Sequence, residues 1–198
     1  LPLAQRNGLA VTEPTLDEPV LVELWKPVLP PGELRSIVLH WTAGDYQTTY
    51  AAYHLCLTGA TRIRVHATHD LRANMRAIAP GSDARYAAHT AGRNSFAAGV
   101  AVCGMRDATP HDFGACPLTA EQIEALCVVA AGLIRRYDIA IGAVRTHAEA
   151  ALDDGYFGAG GDDVRWDLGR LVPAPHALAP QDAVAAGDRL RARIRALC

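Results

Sequence analysis

The segment Ser36-Ile-Val-Leu-His-Trp-Thr42 constrains the fold more than any other part of this chain. It is short, apolar and β-branched, with Pro30-Pro31-Gly32 before it and Gly44 after it. A run of that length between chain breakers reads as a buried strand. Its polar member, His40, stands at the strand's end. Similar short segments recur: Tyr53 to Thr58, Arg62 to Ala67 with one wet face, Gly99 to Gly104, and Gly142 to Thr146 ending on His147. Between the last two, Thr119-Ala-Glu-Gln122 is a capping box, and Ile123, Leu126, Ala130, Leu133 and Ile134 keep helical spacing through Tyr137. Asp45 is expected to cap a short helix through about Ala52. A closing helix is expected over 182–197, with arginines on its outer face.

Strands interleaved with helices at this spacing predict a single α/β domain, a central mixed β-sheet flanked by α-helices. The domain is expected over 34–198, with 1–33 as an arm wrapping it. Residues 69–94 read as a long irregular connection near a site, and 153–163 as a Gly- and Asp-rich loop. With 198 residues, half of them apolar and a fifth charged, the chain can bury a proper core. The formal net charge of -2 gives no basic footprint for a nucleic-acid partner. No stretch approaches the roughly 20 apolar residues of a membrane span, and a monomer is expected. Cys56, Cys103 and Cys127 lie in apolar runs and read as buried thiols, whereas Cys116 and Cys198 read as more exposed and able to pair.

Of eight histidines, His66, His69, His111 and His176 sit in polar or Pro-adjacent contexts that suit surface or structural roles. His40 and His147 differ, because each ends a short apolar strand and is followed by small residues. If the two strands are neighbours, both imidazoles leave the same end of the sheet within reach of one ion. Neutral imidazole is the commonest zinc ligand, though a strand-ending histidine can equally be a satisfied polar group.

Five motifs then occur in order: Ile37-Val-Leu-His-Trp-Thr-Ala43, Tyr53-His54-Leu55, His89-Thr-Ala-Gly-Arg-Asn-Ser95 with Gly99-Val100, Arg145-Thr-His147, and Arg165-Trp-Asp-Leu-Gly169. Over 34–172 the chain resembles the type-2 N-acetylmuramoyl-L-alanine amidases, which include T7-type phage lysozymes and animal peptidoglycan recognition proteins. The resemblance implies one catalytic zinc ion on His40, His147 and Asp167. It implies hydrolysis of the amide joining N-acetylmuramic acid to L-alanine in peptidoglycan or muropeptides. Tyr53 and Arg165 match catalytic positions, suited to stabilising the developing oxyanion. His54, His89 and Asn94 match residues around the substrate groove. The alternative is a binding module of the same fold that holds peptidoglycan without cutting it.

Three departures from the family pattern stand out. Arg165 occupies the place of a frequent lysine and stays protonated, which excludes it as a base. Ala101 stands where several members carry a glutamate. Leu168 replaces a usual proline, after a Gly- and Asp-rich insertion that brings Asp162 and Asp163 close to the third-ligand position. Asp167 is preferred because Arg165 and Gly169 fall where the pattern puts them. The substrate suits a periplasmic, extracellular or phage-delivered enzyme, with cytoplasmic recycling as the other setting.

Overall fold

A computed structural model describes residues 29–79, 81 and 85–198. Most of the expected arm, 1–28, lies outside the described residues. Five strands form one sheet in the order β3-β2-β4-β1-β5, with β1 at Ser36–Trp41, β2 at Leu55–Thr58, β3 at Arg64–Ala67, β4 at Ala97–Val102 and β5 at Val144–Thr146. The β1–β4, β1–β5 and β2–β4 pairs are parallel and only β2–β3 is antiparallel, so the sheet is mixed. Helices α1 (Ala120–Tyr137), α2 (His147–Asp154) and α3 (Pro180–Leu197) complete it.

Strand alternation divides the sheet into two unlike faces. Ile37, Leu39 and Trp41 join Leu55, Leu57, Val100 and Val102 in one apolar cluster with Leu126 and Leu133 of α1 and Leu190 and Ile194 of α3. The other face carries His40, Cys56, Ala101 and Cys103, with Tyr53 packed against the last three. Cys56, Ala101 and Cys103 are small, so this face keeps room for a polar site.

Capping explains where the helices start. Thr119 and Gln122 form the expected capping box of α1. Thr146 and Glu149 form a second one that starts α2, with Thr146 Oγ1 accepting from Glu149 N and Glu149 Oε2 accepting from Thr146 N. Pro180 opens α3, and Asp182 Oδ2 accepts from the Ala179 N–H.

Several expectations need correction. His147 does not end a strand; it is the first residue of α2. No helix forms over 45–52: Asp45 Oδ1 accepts from Gln47 and Thr48 N–H, but the chain continues as turns. Thr48, Thr49 and Tyr50 are poor helix formers, and Arg106 holds the other Asp45 oxygen at 2.6 Å. Strand β2 starts at Leu55, so Tyr53 and His54 precede it. Strand β3 is an edge strand, with three of its four residues exposed and Val65 half-buried. All five cysteines are free, and Cys116 is buried, so no Cys116–Cys198 bridge exists. No helix among the described residues is long and apolar enough to cross a membrane.

Candidate metal centre

Parallel pairing of β1 with β5 brings His40 and His147 together, because the residue after Thr146 enters α2 just beyond the sheet. Asp167 comes from the later loop, and three contacts place it. Trp166 packs edge-on against Trp41 at 4.5 Å between ring centroids, Asp167 O accepts from Ala148 N, and Gly169 N donates to Trp166 O. The Gly-rich insertion does not disturb this arrangement, since it closes at its base through Arg165 N to Tyr156 O and Gly158 N to Arg165 O. Asp162 and Asp163 stay exposed in that loop. Leu168, fully buried, has φ 57. Proline, fixed near φ of about -65°, cannot adopt that conformation, which accounts for its loss here.

His40 Nδ1 stands 3.1 Å from His147 Nδ1 and 3.5 Å from Asp167 Oδ2, and His147 Nδ1 is 3.2 Å from the same oxygen. All three residues are buried. Burial pushes His40 down to about 4, with Asp167 partly offsetting it, so the ring is neutral at pH 7. Burial pushes the Asp167 carboxyl up, yet the polar contacts with His147 and His40 outweigh that and hold it well below the usual carboxylate range. The result is two imidazoles and a carboxylate converging on one point. Ligands about 2.0–2.1 Å from a tetrahedral zinc stand about 3.3 Å apart, close to all three separations found here.

The remaining matched residues surround this triangle unequally. Tyr53 lies beside His40 at 5.0 Å between ring centroids and donates to Trp41 O at 3.3 Å. Burial, then the Asp167 charge, raise its pKa, so it remains a phenol donor. Arg165 is exposed and donates to the carbonyls of Asp162 and Val164. Its charge is nevertheless felt at the Tyr53 hydroxyl. His89 is buried edge-on against His40 at 5.4 Å. Asn94 is half-buried and braces its own loop through Thr90 N. His54 is fully buried, its Nδ1 accepting from Gly99 N at 2.9 Å.

Two neighbours escaped the sequence reading. Thr90 Oγ1 approaches His40 Nε2 at 3.4 Å, and Tyr156 lies against His147 at 6.0 Å between ring centroids. Thr90 directly follows His89 in a quoted motif, which was the available signal. Tyr156 sits in the insertion and has none.

The buried histidines carry a pH prediction. Burial also pushes His54 down to about 4, against an unfolded value near 6.5. Between those values the unfolded chain takes up a proton that the folded chain refuses. Stability is therefore full above about pH 6.5 and falls as pH drops toward about 4, with His40 acting in the same direction. Urea denaturation of the metal-free chain is expected to give a smaller unfolding free energy at about pH 4.5 than at about pH 7. Equal values would mean that both rings titrate as in the unfolded chain.

Comparison with known proteins gives the family. The family described as N-acetylmuramoyl-L-alanine amidase matches residues 30–160. His40 and His147 fall inside that match and Asp167 lies beyond it, so the third corner of the triangle rests on the structure. No curated protein sequence matches the chain. Among solved structures, the Ph2119 endolysin from Thermus scotoductus MAT2119 bacteriophage Ph2119 shares 18% identity, with 61% of this chain and 75% of that one covered at a TM-score of 0.41. AmiD from E. coli, an N-acetylmuramyl-L-alanine amidase solved with anhydro-N-acetylmuramic acid-L-Ala-D-gamma-Glu-L-Lys, shares 20%, covering 59% and 49% at 0.40. AmpDh3 from Pseudomonas aeruginosa shares 21%, covering 72% and 61% at 0.41. The chain thus spans about half of AmiD.

Proposed function

This chain belongs to the N-acetylmuramoyl-L-alanine amidase family, and from that premise we propose that it hydrolyses the amide between N-acetylmuramic acid and L-alanine with one zinc ion on His40, His147 and Asp167. The observation that carries the zinc reading is the triangle of 3.1, 3.2 and 3.5 Å between three buried donor atoms. One hydrogen cannot satisfy two Nδ1 atoms and a carboxylate oxygen, whereas one cation takes a lone pair from each. Bound there, zinc supplies Lewis acidity toward a carbonyl and makes water a nucleophile near neutral pH.

The chain's own residues supply the remaining steps. Tyr53 keeps its proton and would turn its hydroxyl from Trp41 O toward an oxyanion formed beside His40. Arg165 adds a permanent positive charge whose field reaches the Tyr53 hydroxyl. Ala101 pairs with His40 across β1 and β4, so that strand offers no carboxylate base at the site. The buried Asp167 keeps its negative charge and balances an incoming cation. The substrate class is peptidoglycan or its muropeptides. A non-catalytic module is disfavoured because none of the three ligand types has been lost.

The purified protein is expected to carry one zinc per chain and to release L-alanine amino termini from sacculi or soluble muropeptides. Chelation should abolish that release and added zinc restore it. Full activity after complete chelation would overturn the zinc reading. Stoichiometric zinc with neither substrate cleaved would make the protein a binding module. Mass spectrometry of the products identifies the bond cut and the preferred substrate.

A further inference from the structure

We infer that Thr90 is a positioning residue for His40, fixing the tautomer that leaves Nδ1 free to bind the metal. The inference rests on the zinc reading above and adds to it a residue outside the ligand set. A neutral imidazole carries one hydrogen, on Nδ1 or on Nε2, and only the nitrogen without it can be a ligand. In His40, Nδ1 faces His147 and Asp167, and Nε2 faces Thr90 Oγ1 at 3.4 Å. The ring is fully buried, so water does not offer Nε2 a competing partner.

Thr90 is prepared for this task from both sides. Its side chain is buried, and its hydroxyl lies 2.9 Å from His89 Nδ1. In the arrangement we infer, His40 Nε2–H donates to Thr90 Oγ1 and the Thr90 hydroxyl hydrogen goes to His89 Nδ1. Both hydroxyl roles are then filled, and a chain running in that direction leaves His40 Nδ1 without a hydrogen. The Thr90 backbone is held by Asn94 Oδ1, which accepts from Thr90 N at 3.0 Å. Asn74 secures that loop in turn, donating to Asn94 O and Ala87 O and accepting from Ala87 N. His89 is seated on Gly99, where a Cβ would fall 2.4 Å from the imidazole Cγ. Hydrogen-bonded partners of this kind orient metal-binding histidines and raise their basicity.

The test compares Thr90→Val, which removes the hydroxyl at nearly constant shape, with Thr90→Ser, which keeps it. Zinc affinity is read by competition with a chromophoric chelator, and folding by the melting temperature of the metal-free proteins. Thr90→Val is expected to weaken zinc binding by about 10–100-fold while Thr90→Ser recovers most of it. Independently, nitrogen-15 NMR of the metal-free wild-type chain is expected to show the His40 hydrogen on Nε2. Wild-type zinc affinity in a folded Thr90→Val protein would overturn the inference and leave the zinc reading intact. A His40 hydrogen mainly on Nδ1 would overturn it even if that variant does not fold. Absence of zinc binding by the wild type would instead remove the reading on which the inference stands.

Discussion

His40→Ala is expected to eliminate zinc binding and reduce amide hydrolysis to background, with the sheet still folded. Removing one corner leaves His147 and Asp167, two donors where a catalytic zinc site uses three. The Lewis-acid contribution is worth several kcal/mol, so its loss costs on the order of 10³-fold or more in rate. The fold should survive because His40 lies on the face away from the α1 and α3 cluster, and its substitution leaves Ile37, Leu39 and Trp41 in place. Zinc content, kcat/KM on a soluble muropeptide and far-ultraviolet circular dichroism separate these effects. A folded His40→Ala protein retaining wild-type turnover would show that the chemistry lies elsewhere.

Glu149→Ala is expected to cost about 3–5 kcal/mol of stability, the penalty for stranding one partner of a buried ion pair. Glu149 is 2% exposed and receives two hydrogen bonds from Arg191, each 2.8 Å, as well as one from Thr146 N. Arg191 also donates to Val144 O. One carboxylate thus caps α2, fastens α3 to it and steadies the strand end from which His147 emerges. Gly187 of α3 makes room for it, since a Cβ there would fall 2.2 Å from the carboxylate. Thermal and urea unfolding should both record the loss. A cost under about 1 kcal/mol, typical of exposed pairs, would show that solvent already screens this one.

How far the sequence disclosed this site follows from which interactions are local. Strand β1 and helix α1 were legible because periodicity and the Thr119–Gln122 box are encoded within a few residues. His40 and His147 were legible as a pair through the ordered motifs and through their places at or just beyond the end of a short apolar strand, although His147 itself opens α2. Asp167 was less so, because the insertion before it shifts the spacing and only tertiary contacts from Trp166 and Ala148 fix its place. Helix α2 carried its own capping signal, Thr146-His-Ala-Glu149, yet no helix was expected over 147–154. The helix expected after Asp45 failed for the opposite reason: a capping residue was present without a helical sequence to follow. Thr90 and Tyr156 matter through contacts with residues distant or unlike in sequence, and spacing alone does not register those.

The alternation along β1 has a consequence for quality control. Residues one apart on this strand belong to different worlds: Leu39 to the apolar cluster, His40 to the triangle with His147 and Asp167. A slip of one residue in pairing with β4 or β5 would drive the imidazole into the helix-covered layer and put leucine in its place at the site. Misassembly here is therefore penalised twice, in stability and in activity. The molecule cannot build a sound interior and a silent site by this route, or a working site on a faulty interior. Catalytic competence in this chain doubles as a proof-reading signal for its own sheet.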